Sequence, residues 1–365
     1  MGVAPAASGG DVEMTETAEA GGLPENVLAQ IDETQAKLSS SRKKRKAPEG
    51  YATTEEVKTF TAKHTIPSLH SSSPAGITAL AVSKNSNHFL TGGNDKIVQL
   101  YDRENDKVLA SLKGHQKKIN HVAFREVDTT PTLILSGGAD KIAKAWSHDE
   151  ASGEWKAAGT IRTHKGEITG LAIHPTSTLL ALSSSDRTWS LHDLSSFQQL
   201  YQSPESDESF TSFAIHPDGA LVATGTPASA IQVWDLRSGS IAATLTPAEG
   251  VPFTVNTLSF SENGYHLLAP DSLSSIAIWD LRKTKISHSI KLGDGFKTSK
   301  VVYDYSANFF GVAGSEGVRV FAHKTWDELV RFEEASDVLD LAFAASGKEI
   351  WGVSGRDVRI WGLAP

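Results

Sequence analysis

The sequence predicts an all-β fold: a seven-bladed β-propeller behind a disordered amino-terminal segment and one short helix. Three observations lead there. An apolar strand, a polar turn, a second strand and a third strand ending in an aromatic ring recur seven times between Ile77 and Trp361. The ring residues Tyr101, Trp146, His192, Trp234, Trp279, Phe321 and Trp361 stand roughly 40 to 46 residues apart, the period of a four-stranded blade. The strands also carry apolar residues on both parities, as Ala172 on one and Leu171 and Ile173 on the other, which suits sheets sandwiched between neighbours.

The elements follow in chain order. Residues 1–23 are mostly Ala, Gly, Thr and Glu, with too little apolar surface to offset ordering entropy. Residues 24–41 read as a helix, with Pro24 at its start. Leu28, Ile31 and Leu38 form a stripe that Gln35 completes at heptad-like spacing. Fewer than three heptads do not hold a coiled coil alone, so a frayed solvent helix is expected, with the end of a coiled coil as the alternative. Residues 42–56 form a basic linker containing Arg42, Lys43, Lys44, Arg45 and Lys46. That uninterrupted run suits a nuclear-import signal, and the alternative is a solvated spacer.

The propeller is expected over 57–365. Its last unit ends four residues after its third strand, so its fourth strand must come from elsewhere; alternation over 57–64 nominates that stretch. Such a clasp removes the exposed edges of an open ring. The turns His216-Pro217-Asp218-Gly219 and Ser261-Glu262-Asn263-Gly264 supply the residues that tight turns need.

Composition narrows the chemistry. The chain has no cysteine, which removes disulfides, thiolate nucleophiles and Cys-ligated zinc and fits a reducing compartment. No apolar run approaches a membrane span, and no secretory core opens the sequence, so an intracellular protein without membrane contact is expected. A net charge of -8 argues against wholesale nucleic-acid binding, although a local basic patch could touch phosphate.

Blade two contains His115, Ser136, Asp140 and Trp146 in order, residue types that also make Ser-His-Asp catalysis. Their places argue for structure: before the first strand, on the second strand, in the next turn and on the third strand. Other blades are expected to keep only parts, such as Thr91, Asp95 and Tyr101 in blade one, while Ala228 takes the Asp140 place in blade four. His174 and His216 occupy matching turns and read as repeat scaffolding. There is no phosphate-binding loop or H-E-x-x-H, and Gly311, Gly314 and Gly317 lack a strand-turn-helix setting. No catalytic residue, cofactor or metal site is expected.

What remains is a disc that binds through its loops. Lys96, Lys141 and Arg187 fall in the turns between second and third strands of blades one to three; Lys117, Lys118 and Lys165 fall in the loops entering those blades. Together they nominate a basic lip for an acidic peptide or, with weaker support, an RNA backbone; ordinary surface charge is the alternative.

The endings Trp234-Asp235-Leu236-Arg237 and Trp279-Asp280-Leu281-Arg282 resemble the Trp-Asp dipeptide of WD40 repeats, and the His-Ser-Asp-Trp set resembles their structural tetrad. Residues 90–118, 212–237 and 259–283, with the linker 24–57, resemble the pre-mRNA-processing factor 19 family of spliceosomal U-box ubiquitin ligases. The resemblance covers 24–365. It implies a nuclear propeller that binds substrates and partners among spliceosomal and ligase-complex proteins, with a possible link to DNA repair. The family also has a U-box and a tetramerising coiled coil; no U-box precedes residue 24, and only the last turns of a coiled coil could lie in 24–39. This chain alone is therefore expected to be non-catalytic, and tetrameric only if that coiled coil is present upstream. The rival readings are a WD40 scaffold without a ubiquitin link and a propeller enzyme with a site in its channel. The second is disfavoured because Ile77, Ile119, Ile168, Phe210 and Val255 open the innermost strands.

Overall fold

The computed structural model describes residues 22–42, 47, 49–247 and 252–364. Seven four-stranded antiparallel sheets form the seven-bladed propeller. Six are built from consecutive strands, over 77–112, 119–161, 168–202, 212–245, 259–291 and 298–332. The seventh takes Val338–Phe343, Glu349–Ser354 and Asp357–Gly362 and borrows its outer strand, Thr61–Ile66, from before blade one. No helix among the described residues is long and apolar enough to cross a membrane.

The borrowed strand starts later than residue 57, because helix α2 (Thr54–Val57) comes first. Thr53 and Glu56 form a reciprocal capping box: the Glu56 N–H donates to Thr53 Oγ1 at 3.2 Å, and the Thr53 N–H donates to Glu56 Oε2 at 2.7 Å. Val57 and Phe60 are buried against blades six and seven beside Phe309, Phe332 and Trp361. The alternation over 57–64 therefore joins a helical turn to the front of a strand.

Seven apolar clusters sit one to each seam between neighbouring blades. The repeated ring residues build six of them: Trp146 packs onto blade one, Trp234 onto blade three, Trp279 onto blade four, Phe321 onto blade five, Trp361 onto blade six and Tyr101 onto blade seven. In blades one to six the pairing of third and fourth strands slips at the ring residue. A bulge of this kind twists the strand locally and re-aims a side chain, here toward the preceding blade.

Polar staples repeat at the same seams. Thr211 Oγ1 donates to the Val255 carbonyl at 2.7 Å, and Asn120 and Asn256 Nδ2 donate to the Ile168 and Thr298 carbonyls at 2.8 and 2.7 Å. His174 and His216 bond through Nε2 to the carbonyls of Gly219 and Gly264 in the next blade's turn, at 2.9 and 3.0 Å, as the scaffolding reading expects. Gly219 is required twice over: its φ is +82°, and an added Cβ would stand 2.3 Å from His174 Nε2.

Helix α1 (Glu25–Arg42) lies one residue later than the sequence suggested and is better anchored. The Pro24 carbonyl accepts the first N–H bonds from Val27 and Leu28. It lies on the lower face, which carries the turns between first and second strands and between third and fourth. Leu23, Val27 and Ile31 are buried among Leu179, Leu191, Val222, Trp234 and Leu236 of blades three and four. The expected stripe shares only Ile31 with this buried set; Leu28, Gln35 and Leu38 are half-buried. The helix is packed rather than frayed.

Candidate functional site

On the upper face, blade two holds the expected tetrad residues. His115 Nδ1 donates to Asp140 at 2.9 Å, and Ser136 Oγ lies 2.7 Å from His115 Nε2. An ionised carboxylate can only accept, so Nδ1 carries the proton and the serine hydroxyl donates to Nε2. Burial pushes the His115 pKa down, against the pull of Asp140. The Trp146 ring stands 6.3 Å from the imidazole, centroid to centroid. The bond order matches a catalytic triad, but Ser136 is 0% exposed and offers no surface to a substrate.

Blade one is more complete than the sequence reading allowed. His70 bonds Asp95 at 2.9 Å and Thr91 Oγ1 at 2.8 Å. His70 precedes its partners by 25 and 21 residues, the separations found in blade two, so spacing alone could have found it. Blade three repeats the pattern with His164 on Asp186 at 3.0 Å and on Ser190 at 2.8 Å. There the serine comes from the third strand and bonds His192 at 2.9 Å, so an imidazole stands where other blades place a larger ring.

These sets position the basic lip. Each acid also accepts a backbone N–H from the loop entering its blade: Ser71 on Asp95 at 3.0 Å, Gln116 on Asp140 at 2.7 Å and Lys165 on Asp186 at 2.7 Å. The same three acids immediately precede Lys96, Lys141 and Arg187, whose φ angles are +70°, +71° and +72°. Glycine would adopt that conformation without strain; an L side chain pays about 1–2 kcal/mol. A cation nevertheless stands there, exposed, in all three blades. The charges end at blade four, where Ala228 replaces the acid and Ser229, at φ +65°, replaces the cation; Leu273 holds the acid's place in blade five.

Not every lip cation is free. Arg187 pairs with Glu205 at 2.6 Å and Lys118 with Glu167 at 3.5 Å. Lys96, Lys117, Lys141 and Lys165 make no ion pair among the described residues and carry the lip's unbalanced charge.

The channel is polar, contrary to expectation. The five residues that open the innermost strands are buried in the seams, and the next positions line a cavity of about 230 Å³ that includes Asn120, His121, Lys300 and Asp340. Lys300 pairs with Asp340 at 3.0 Å, while the Leu80 and Leu341 N–H groups donate to the same carboxylate at 2.8 and 2.9 Å. Burial, with Lys300 nearby, holds His121 down at about 4. Asp340 is thus spent stapling blades six, seven and one.

Arg42 lies at the end of α1, where its guanidinium meets Asp218 at 2.9 Å; Lys43–Lys46 of the proposed import run lie outside the described residues. Fold and tetrads together define the class as a WD40 β-propeller. Models of the WD domain, G-beta repeat match 62–102 and 106–147, and that of the anaphase-promoting complex subunit 4 WD40 domain matches 171–253. Pre-mRNA-processing factor 19 of Oryza sativa subsp. japonica is 31% identical over 352 residues, covering 93% of this chain and 65% of that protein. Its namesake in Bos taurus is 32% identical over 329 residues, covering 89% and 63%. The chain is therefore a homologue, over about nine tenths of its own length, of proteins named pre-mRNA-processing factor 19, and spans a little under two thirds of these relatives' length.

Proposed function

We propose that this chain is the substrate- and partner-binding propeller of a nuclear ubiquitin-ligase complex acting in pre-mRNA splicing, with a possible role in DNA repair. The likeness to the named relatives across nine tenths of the chain supports the setting. The observation that carries the binding role is the lip: three acids, each locked to a histidine, hold both a turn cation and the neighbouring loop in place. Such an array favours an acidic segment of a protein partner, because exposed cations of one sign stand together on a held backbone. Transfer of ubiquitin would be performed by a U-box outside this chain, and the basic run beginning at Arg42 would serve nuclear entry.

The test is capture of splicing proteins from nuclear extract by the wild-type chain and by Lys117→Glu/Lys141→Glu, chosen because neither lysine is paired. The variant should retain the wild-type melting temperature and lose most capture, with the wild-type interaction weakening as salt rises. Equal capture by both proteins would remove the lip from the function.

A further inference from the structure

The lower face carries a different kind of chemistry. The amino-terminal half of α1 is held by buried Leu23, Val27 and Ile31. Its carboxy-terminal end is held by one acid. Asp218 Oδ2 accepts from the Arg42 guanidinium at 2.9 Å and from the Ser39 hydroxyl at 3.1 Å, while Oδ1 accepts from His216 Nδ1 and from the Ala220 N–H at 3.1 Å. The seat is a built one. Gly264 has φ +72°, and a Cβ there would stand 2.1 Å from Arg42 Nη1, so the turn is bare where the guanidinium lies. The side chains of Arg42 and Asp218 are 14% and 8% exposed, so charge added here is poorly screened.

We propose that Ser39 is a phosphorylation site whose modification releases α1 from the lower face of blades three and four. A protein kinase would transfer the γ-phosphoryl group of a nucleoside triphosphate to Ser39. The Oγ–P bond forms, the bond from the γ-phosphorus to the bridging oxygen breaks, the nucleoside diphosphate leaves, and the hydroxyl proton passes to the kinase's base. Ser39 lies half-buried in the last helical turn, followed by exposed Ser40 and Ser41, so fraying of that end presents it.

Phosphate brings a charge of about −1.5 to −2 and removes the hydroxyl donor. Its neighbours are Asp218, Arg42 and His216. If Arg42 stays with Asp218, phosphate and carboxylate repel at hydrogen-bond range. If Arg42 turns to the phosphate three residues before it, Asp218 loses the helix altogether. Either course cuts the Asp218 tie between the carboxy-terminal end of α1 and blade four, and the new charge also sits at the negative end of the helix dipole. Release bares the apolar groove around Leu179, Leu191, Trp234 and Leu236.

The experiment places phosphoserine at 39, and separately at 40, in the full chain and follows hydrogen exchange over 25–42. Ser40 is exposed and donates to the Lys37 carbonyl, so it shares the helix end but not Asp218. Loss of α1 protection by about tenfold or more at 39, with little change at 40 and unchanged protection in the blades, is the expected result. Equal loss at both positions would reduce the effect to helix-end charge and overturn the assignment, as would full protection at both. Phosphopeptide mapping of the protein from its own cells should find phosphate on Ser39; its absence there would overturn the site.

Discussion

The smallest unit that matters here is an aspartate with two tasks. Asp140 fixes His115 inside the blade and pins the Gln116 N–H outside it, so core stability and lip geometry rest on one carboxylate. Asp140→Ala should cost about 1–3 kcal/mol in urea unfolding, because it strands a buried imidazole N–H, and should also weaken partner capture by displacing Lys117 and Lys141. A stability loss with capture intact would separate the two tasks. The sequence made this residue legible through its place in the blade repeat. The same logic was available for His70, at the same 21- and 25-residue separations, but a histidine in a Ser- and Pro-rich loop ahead of the first unit carries no local sign of its partners. Nor does the sequence show that Arg187 and Lys118 are neutralised by Glu205 and Glu167, since such pairs depend on how neighbouring loops fold beside one another.

Among the elements, the blades were legible and the leading segment was less so. A four-stranded repeat announces itself seven times, whereas α1 occurs once and its pattern supports two stripes. Residues 28, 31, 35 and 38 suit a partner helix; 23, 27 and 31 suit the groove that blades three and four form. The groove decides between them, and it is assembled from residues about 150 to 210 positions further along. The closing strand was misplaced for a local reason: the capping box at Thr53 and Glu56 turns residues 54–57 into a helix before extended structure begins. The docked helix gives a direct prediction. Ile31 is fully buried, so Ile31→Ala should remove about 2–4 kcal/mol of docking free energy. Hydrogen exchange should show α1 opening while blade amides keep their protection; an α1 equally protected in the variant would refute the packing described.

At the scale of the whole molecule the ring is a closed set of seams, and the last is reinforced by charge. Glu349 of blade seven accepts both guanidinium nitrogens of Arg103 in blade one, at 2.7 and 2.8 Å, and Lys63 of the borrowed strand at 3.0 Å. Burial opposes ionisation of Glu349, but the two cations outweigh it and hold its pKa below the ordinary carboxylate range. A depressed folded-state pKa contributes stability above the unfolded value, near about 4.3, and loses it as pH falls toward the folded one. Glu349→Gln should therefore cost about 2 kcal/mol at neutral pH. The difference from wild type should shrink below about pH 4, and a constant difference across that range would show that the ion pairs contribute nothing. The strand that carries Lys63 has a further consequence, in time rather than energy. Ile66 pairs with Val358, 292 residues later in the chain, so at a synthesis rate of about 5–20 residues per second it leaves the ribosome some 15 to 60 seconds before its mate exists. Through that interval it is an edge without a sheet. Thr61, Lys63, His64 and Thr65 remain exposed even in the finished ring, and a polar, charged edge of this kind is poorly suited to pairing with another nascent chain while it waits.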